Sequence, residues 1–175
     1  LTEPQRSQRL FFALWPDAQT QVRIARQARA LARREGRPVA AENLHITLAF
    51  IGASDPKQRR CLEAQAAQVG VEPFCFELSR VGFYPRARVL WVGPQATPEP
   101  LLGLVERLNR ALAPCGYRPE PRPFAAHVTV FRKARPVREV PVVEPVPWPV
   151  REFCLVESVA DRNGVHYPVL RRFGG

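Results

Sequence analysis

Two short segments of the chain carry the same frame of polar side chains: Leu44-His45-Ile46-Thr47-Leu48 and Ala126-His127-Val128-Thr129-Val130. The chain has 3 histidines, and two of them fall in this frame. Along a strand side chains alternate faces, so His45 and Thr47 share one face while Leu44, Ile46 and Leu48 share the other. The same parity groups His127 with Thr129. Each segment then offers an imidazole and a hydroxyl about 7 Å apart along the strand, backed by an apolar face. Imidazole titrates near neutrality, so one copy can take a proton while the other gives one. A hydroxyl can donate to a non-bridging phosphate oxygen without adding a charge. Two such segments facing each other would place an acid and a base on either side of a phosphate.

The elements around them are legible from apolar patterning and turn residues. Residues 9–15 read as a buried strand stopped by Pro16, and Asp17 as the N-cap of a helix running to about Glu35. The first His-x-Thr strand spans about 44–51. Ser54-Asp55-Pro56 opens a second helix ending near Val69, and strands follow at about 73–81 and 87–93. A third helix spans about 99–113, and the second His-x-Thr strand about 124–132. The stretch 133–150 holds too many prolines for a central strand and is expected as a surface connection or an edge. Two last strands, about 152–159 and 166–173, flank a turn containing Asn163-Gly164.

Strand, long helix and His-x-Thr strand thus occur twice, once from residue 10 and once from residue 89. This duplication predicts an α+β fold of two pseudo-symmetric lobes. Each would be an antiparallel sheet with outer helices, with the two histidine strands facing each other across a cleft. All 175 residues are expected to form one bilobal domain, a length sufficient for a real hydrophobic core.

Composition narrows the partners. The hydrophobic fraction of 46% is ordinary for a soluble chain, and no apolar run is long enough to span a membrane. The opening residues carry no apolar leader, so no membrane partner is expected and cytoplasm is the expected location. A net charge of +10, almost all of it arginine, points to a polyanionic partner, although a GC-rich codon usage would also favour arginine over lysine. Cys61, Cys75, Cys115 and Cys154 are scattered among apolar neighbours without a Cys-x-x-Cys pair. They are expected as reduced, mostly buried thiols.

With these motifs the chain resembles the two-histidine phosphoesterase superfamily, and within it the RNA 2′,3′-cyclic phosphodiesterases also called 2′-5′ RNA ligases. The resemblance runs through Arg9–Pro16, Glu42–Gly52, Arg88–Gly93 and His127–Arg132 to the ending Glu157-Ser158, Gly164 and Tyr167. Ala126 stands where the family usually has proline. The resemblance implies His45 as proton donor and His127 as proton acceptor, with Thr47 and Thr129 on the non-bridging oxygens. Hydrolysis of an RNA 2′,3′-cyclic phosphate to a 2′-phosphate would follow.

Supporting positions come from the residues. Asn43 shares parity with His45, and would line the cleft, orient the imidazole or make a turn. Arg132 is a natural phosphate partner, but its parity is opposite to that of His127, so only a bulge or a strand end would bring it into the site. Phe12 and Tyr167 are candidates for stacking on a base, as are Phe83, Tyr84 and Trp91, all of which also suit core packing. His166 is expected as an ordinary surface or strand residue. No metal and no cofactor are expected, because neither motif has a third ligand at metal-binding spacing. Three other readings stay open: ligation by the reverse reaction, an RNA- or nucleotide-binding module with vestigial histidines, and a zinc hydrolase. A self-contained cleft needs no second subunit, and a monomer is expected.

Overall fold

The computed structural model describes residues 6–31, 36–136 and 140–174, with 140–143 as backbone only. In chain order the elements are β1 (Gln8–Leu14), α1 (Ala18–Ala30), β2 (Arg37–Pro38), β3 (Ile46–Ser54), α2 (Pro56–Ala66), β4 (Phe74–Tyr84) and β5 (Val89–Gly93). They continue with α3 (Glu99–Leu112), β6 (Val128–Arg132), β7 (Val140–Val150), β8 (Phe153–Glu157), β9 (Val159–Asp161), β10 (Gly164–His166) and β11 (Val169–Phe173). Short 3₁₀ turns at Ala41–Asn43 and Ala113–Cys115 precede β3 and follow α3.

Local chemistry explains most boundaries. The Asp17 carboxylate accepts from the Thr20 amide at 2.7 Å and caps α1. Asp55 does the same for α2 through Gln58, with Pro56 in the first turn. The expected extension of α1 to Glu35 lies outside the described residues beyond Leu31.

The strands form two main antiparallel sheets, ordered β11-β8-β1-β3 and β2-β6-β5-β4-β7. Strands β9 and β10 pair separately as a hairpin. The two histidine strands, β3 and β6, border the space between the sheets, as duplication predicts. The proline-rich β7 is an edge strand paired to β4, the position where missing amide donors cost least.

The helices cover the sheets crosswise. Helix α1 follows β1 of the first sheet but packs on β7 and β6 of the second, where Thr20 Oγ1 donates to the Pro147 carbonyl and Gln27 Nε2 to that of Glu144. Helix α3 follows β5 of the second sheet but packs against α2 and β3, burying Leu101, Leu104, Leu108 and Leu112.

The cysteine expectation needs correction. Cys154 is a buried free thiol, and Cys75 is free but exposed on the outer face of β4, while Cys61 and Cys115 form a disulfide. Helix α2 lies beside the end of α3, which brings the two Cα atoms to 5.7 Å, a separation that sequence spacing does not reveal.

Candidate active site

Both histidine segments are re-aimed by a β-bulge at the same offset. Phe12 pairs with Ala49 and Ala13 with Thr47, so Leu48 is an extra residue in β3. Leu90 pairs with Phe131 and Trp91 with Thr129, so Val130 is the extra residue in β6. Each bulge buries two consecutive side chains, Leu48 with Ala49 and Val130 with Phe131, and reverses the parity of the residues after it. Arg132 therefore joins His127 and Thr129 on the cleft face despite its opposite sequence parity. Phe50 takes the equivalent place in the first half.

A cavity of about 70 Å³ between the sheets is lined by Val39, Asn43, His45, Thr47, His127, Thr129, Arg132 and Tyr167. Both imidazoles, both hydroxyls and one guanidinium thus surround a space about large enough for a phosphate. A larger cavity of about 470 Å³ adjoins it, sharing Thr47 and His127 and lined further by Phe50, Tyr84, Tyr117, Arg122 and Phe124.

Each imidazole is aimed by a backbone carbonyl two residues upstream. His45 Nδ1 lies 2.7 Å from the Asn43 carbonyl, and His127 Nδ1 lies 2.9 Å from that of Ala125. A carbonyl only accepts, so Nδ1 carries the hydrogen in both rings and Nε2 is left to exchange protons in the cavity. Asn43 orients His45 with its main chain, while its side-chain Nδ2 donates to the Val165 carbonyl and clasps the β9–β10 hairpin. Thr97 Oγ1 accepts from the Ala126 amide and fixes the entry to β6.

The two rings have different surroundings. Trp15 stacks on His45 with centroids 5.0 Å apart and planes 4° from parallel. Phe11 lies 5.1 Å away, and Tyr167 meets the ring edge-on at 5.2 Å. Burial in this cage pushes the His45 pKa down to about 4, helped by the nearby positive charges of Arg132 and His127, while the bond to Asn43 opposes the shift. His127 meets Tyr84 edge-on at 5.1 Å, with Trp91 farther off at 6.4 Å. Burial lowers its pKa too. Trp91 lies flat over Gly82, where a Cβ would sit 2.1 Å from the indole.

Phe12 must be removed from the substrate-binding candidates. It is wholly buried on the helix side of β1, packed against Phe153 and Phe173, and cannot touch a ligand. Its neighbour Phe11 has the cleft-side parity and, with Ala13, Cys154 and Val156, forms a small apolar layer under Trp15 and Tyr167. Tyr167 does reach the cavity. Phe83 packs against the main core, and Trp91 is 7% exposed. His166 is exposed, 3.5 Å from Asp161. Sequence reasoning missed Trp15 and Phe50. Trp15 shares the parity of Phe11 and Ala13, and Phe50 stands five residues after His45 as Arg132 does after His127.

The chain is similar to known proteins along almost its whole length. The LigT like Phosphoesterase family model matches the chain twice, over residues 14–91 and 92–167, one copy per half. An RNA 2′,3′-cyclic phosphodiesterase of Escherichia coli is 34% identical, covering 99% of this chain and 98% of the relative. One of Archaeoglobus fulgidus is 31% identical, covering 94% and 99%. The crystal structure of E. coli LigT complexed with 3′-AMP superposes with a TM-score of 0.87 at 34% identity, covering 96% of this chain and 98% of that one. With both halves matched and two histidine–threonine strands facing one cavity, the chain belongs to the LigT-like phosphoesterase family.

Proposed function

We propose that the chain hydrolyses RNA 2′,3′-cyclic phosphate ends to 2′-phosphates by acid–base catalysis between His127 and His45. The observation that carries this reading is the convergence of His45, Thr47, His127 and Thr129 on one phosphate-sized cavity. Neutral His127 takes a proton from water at Nε2 as the water oxygen attacks phosphorus. The bond from phosphorus to O3′ breaks, and protonated His45 gives its Nε2 proton to O3′. The product carries a 2′-phosphate and a free 3′-hydroxyl. The Thr47 and Thr129 hydroxyls donate to the non-bridging oxygens, where charge grows in the transition state, and Arg132 adds a fixed positive charge. Tyr167 edges the donor ring, and Asn43 sets its tautomer.

The larger cavity takes the nucleoside that bears the cyclic phosphate, with Phe50 and Phe124 as apolar surfaces for the base. The described residues contain no cluster of three or more His, Cys, Asp or Glu suited to a metal, and the two imidazoles supply the acid and base without one. No helix among the described residues is long and apolar enough to cross a membrane. Both lobes contribute to the cavity, so the whole chain works as one unit, as a monomer that needs no second subunit to complete it.

The test is incubation with an oligoribonucleotide ending in a 2′,3′-cyclic phosphate, followed by mapping of the product phosphate. A 2′-phosphate is expected, with His45→Ala and His127→Ala each lowering kcat by roughly 10²–10⁴. A 3′-phosphate product, or near-normal turnover by either variant, refutes the assignment. Joining to a 5′-hydroxyl RNA in place of hydrolysis would favour the ligase.

A further inference from the structure

The basic residues are not spread evenly around the cleft. Three segments meet at one end of the second sheet: Gly36–Val39 with β2, the turn between β4 and β5, and the residues after β6. Arg37 is the Cα partner of Arg132, and the Ala134 amide donates to the Arg88 carbonyl at 2.9 Å. Gly36 packs so tightly there that a Cβ would lie 3.0 Å from the Arg132 carbonyl oxygen. Residues 36–39, 84–89 and 131–136 together contain Arg37, Arg86, Arg88, Arg132, Lys133 and Arg135 and no carboxylate. All six are exposed.

Two details of this rim are unfavourable without an anion. Arg37 and Arg132 stand directly opposite each other on paired strands, where like charges destabilise the sheet. Arg88 and Lys133 are also the non-glycine residues with positive φ among the described residues, both at 52°. The left-handed region suits glycine or asparagine, and here two long cations occupy it. The repelling pair gains from a bound polyanion, and the two left-handed positions set long cations on the turns beside it. Arg132 belongs both to the rim and to the small cavity, so an anion lying along the rim reaches the edge of the site.

We propose that this rim binds the backbone phosphates of single-stranded RNA on the 5′ side of the cyclic phosphate, making oligonucleotides rather than cyclic mononucleotides the preferred substrate. This rests on the function proposed above. A single strand suits the rim because its cations sit on turns and a strand end at a cleft that must receive a terminal nucleotide. The phosphate charge offsets the Arg37–Arg132 repulsion, and each engaged cation releases condensed counterions from the strand.

The test uses the double variant Arg88→Gly/Lys133→Gly, which removes two cations where glycine is the easier residue for the backbone. Its asparagine counterpart controls for added chain flexibility. Neither position belongs to the catalytic cavity. Turnover is measured on 2′,3′-cyclic AMP and on a ten-nucleotide RNA ending in a 2′,3′-cyclic phosphate, across a salt series. Binding of the same RNA ending in a 2′-phosphate is followed by fluorescence anisotropy.

With the melting temperature held or raised, both variants should process cyclic AMP like the wild type. For the oligonucleotide, KM and Kd should rise roughly 2- to 30-fold, the range for two exposed charge contacts. The slope of log affinity against log salt should shrink by roughly 1.4, for two single-strand phosphate contacts. Equal loss on both substrates, unchanged salt dependence, or stronger competition by blunt duplex RNA overturns the proposal. If the wild type turns over neither substrate, the proposed function fails while the anisotropy arm still decides the rim.

Discussion

His45 must hold a proton to act as the acid, yet its surroundings keep it neutral. Its pKa of about 4 lies well below the ordinary 6.5, which makes the charged form about 3 kcal/mol less favourable than in water. Near pH 7 only about one free molecule in a thousand carries the imidazolium. Binding of the anionic cyclic phosphate must therefore be coupled to uptake of a proton from solvent by His45. The stacked indole of Trp15 is the removable wall of the cage. Trp15→Ala admits water to one face of the ring and should raise the His45 pKa by roughly one unit or more, because desolvation is the largest cause of the shift. Trp15→Leu keeps the apolar cover and should move it little. Histidine ring resonances followed by NMR from pH 3.5 to 8 measure this directly. Inorganic phosphate should raise the wild-type value, as Arg132 and His127 then share the added anion. The same depression makes folding pH-dependent: the contribution of neutral His45 is complete above about 6.5 and is lost as pH falls through that value toward 4. A wild-type His45 that titrates near 6.5, or one whose pKa is unchanged by Trp15→Ala, refutes the reasoning.

Thr47→Val and Thr129→Val should each lower kcat by roughly 10–10³ while leaving the pH profile in place, since they remove an oxygen contact and not a proton; steady-state kinetics across pH checks this. Phe50→Ala should raise KM for the cyclic phosphate with little change in kcat, which Michaelis curves for wild type and variant will show. Turnover should survive excess EDTA, with no stoichiometric zinc in the purified protein by elemental analysis; chelator inactivation reversed by a divalent ion would move the assignment to a metal hydrolase. The double variant His45→Ala/His127→Ala should lose far less than the product of the single losses, because the two groups act as a unit.

The histidine–threonine frame was legible in the sequence because strand alternation is a local rule, and His45, Thr47, His127 and Thr129 obey it up to the bulges. Arg132 marks where the rule stops. A bulge arises from pairing with another strand, so parity alone put the guanidinium on the wrong face. Phe11 and Phe12 are adjacent and alike in type, and only the position of the helices decides which of them faces the core. Trp15 stands just past the end of β1, where its contact with His45 depends on how β1 and β3 pair. The Cys61–Cys115 bond likewise depends on two helices meeting across a separation of 54 residues.

The crossed helices bear on how such a molecule can be divided. The first half supplies β2, β4 and β5 to the second sheet and α1 as its cover, while the second half supplies β8 and β11 to the first sheet and α3 against β3. Neither half-chain holds a complete sheet-and-helix sandwich, although the family model matches each half separately. A chain opened at the exposed Gln95-Ala96, between β5 and α3, yields two fragments that each leave apolar surface bare. Mixed together, they should restore the interlaced core and the cavity between the sheets, which recovered turnover would show. The repeat visible in the sequence is thus a unit of symmetry, whereas each sheet and its cover are completed only by both halves together.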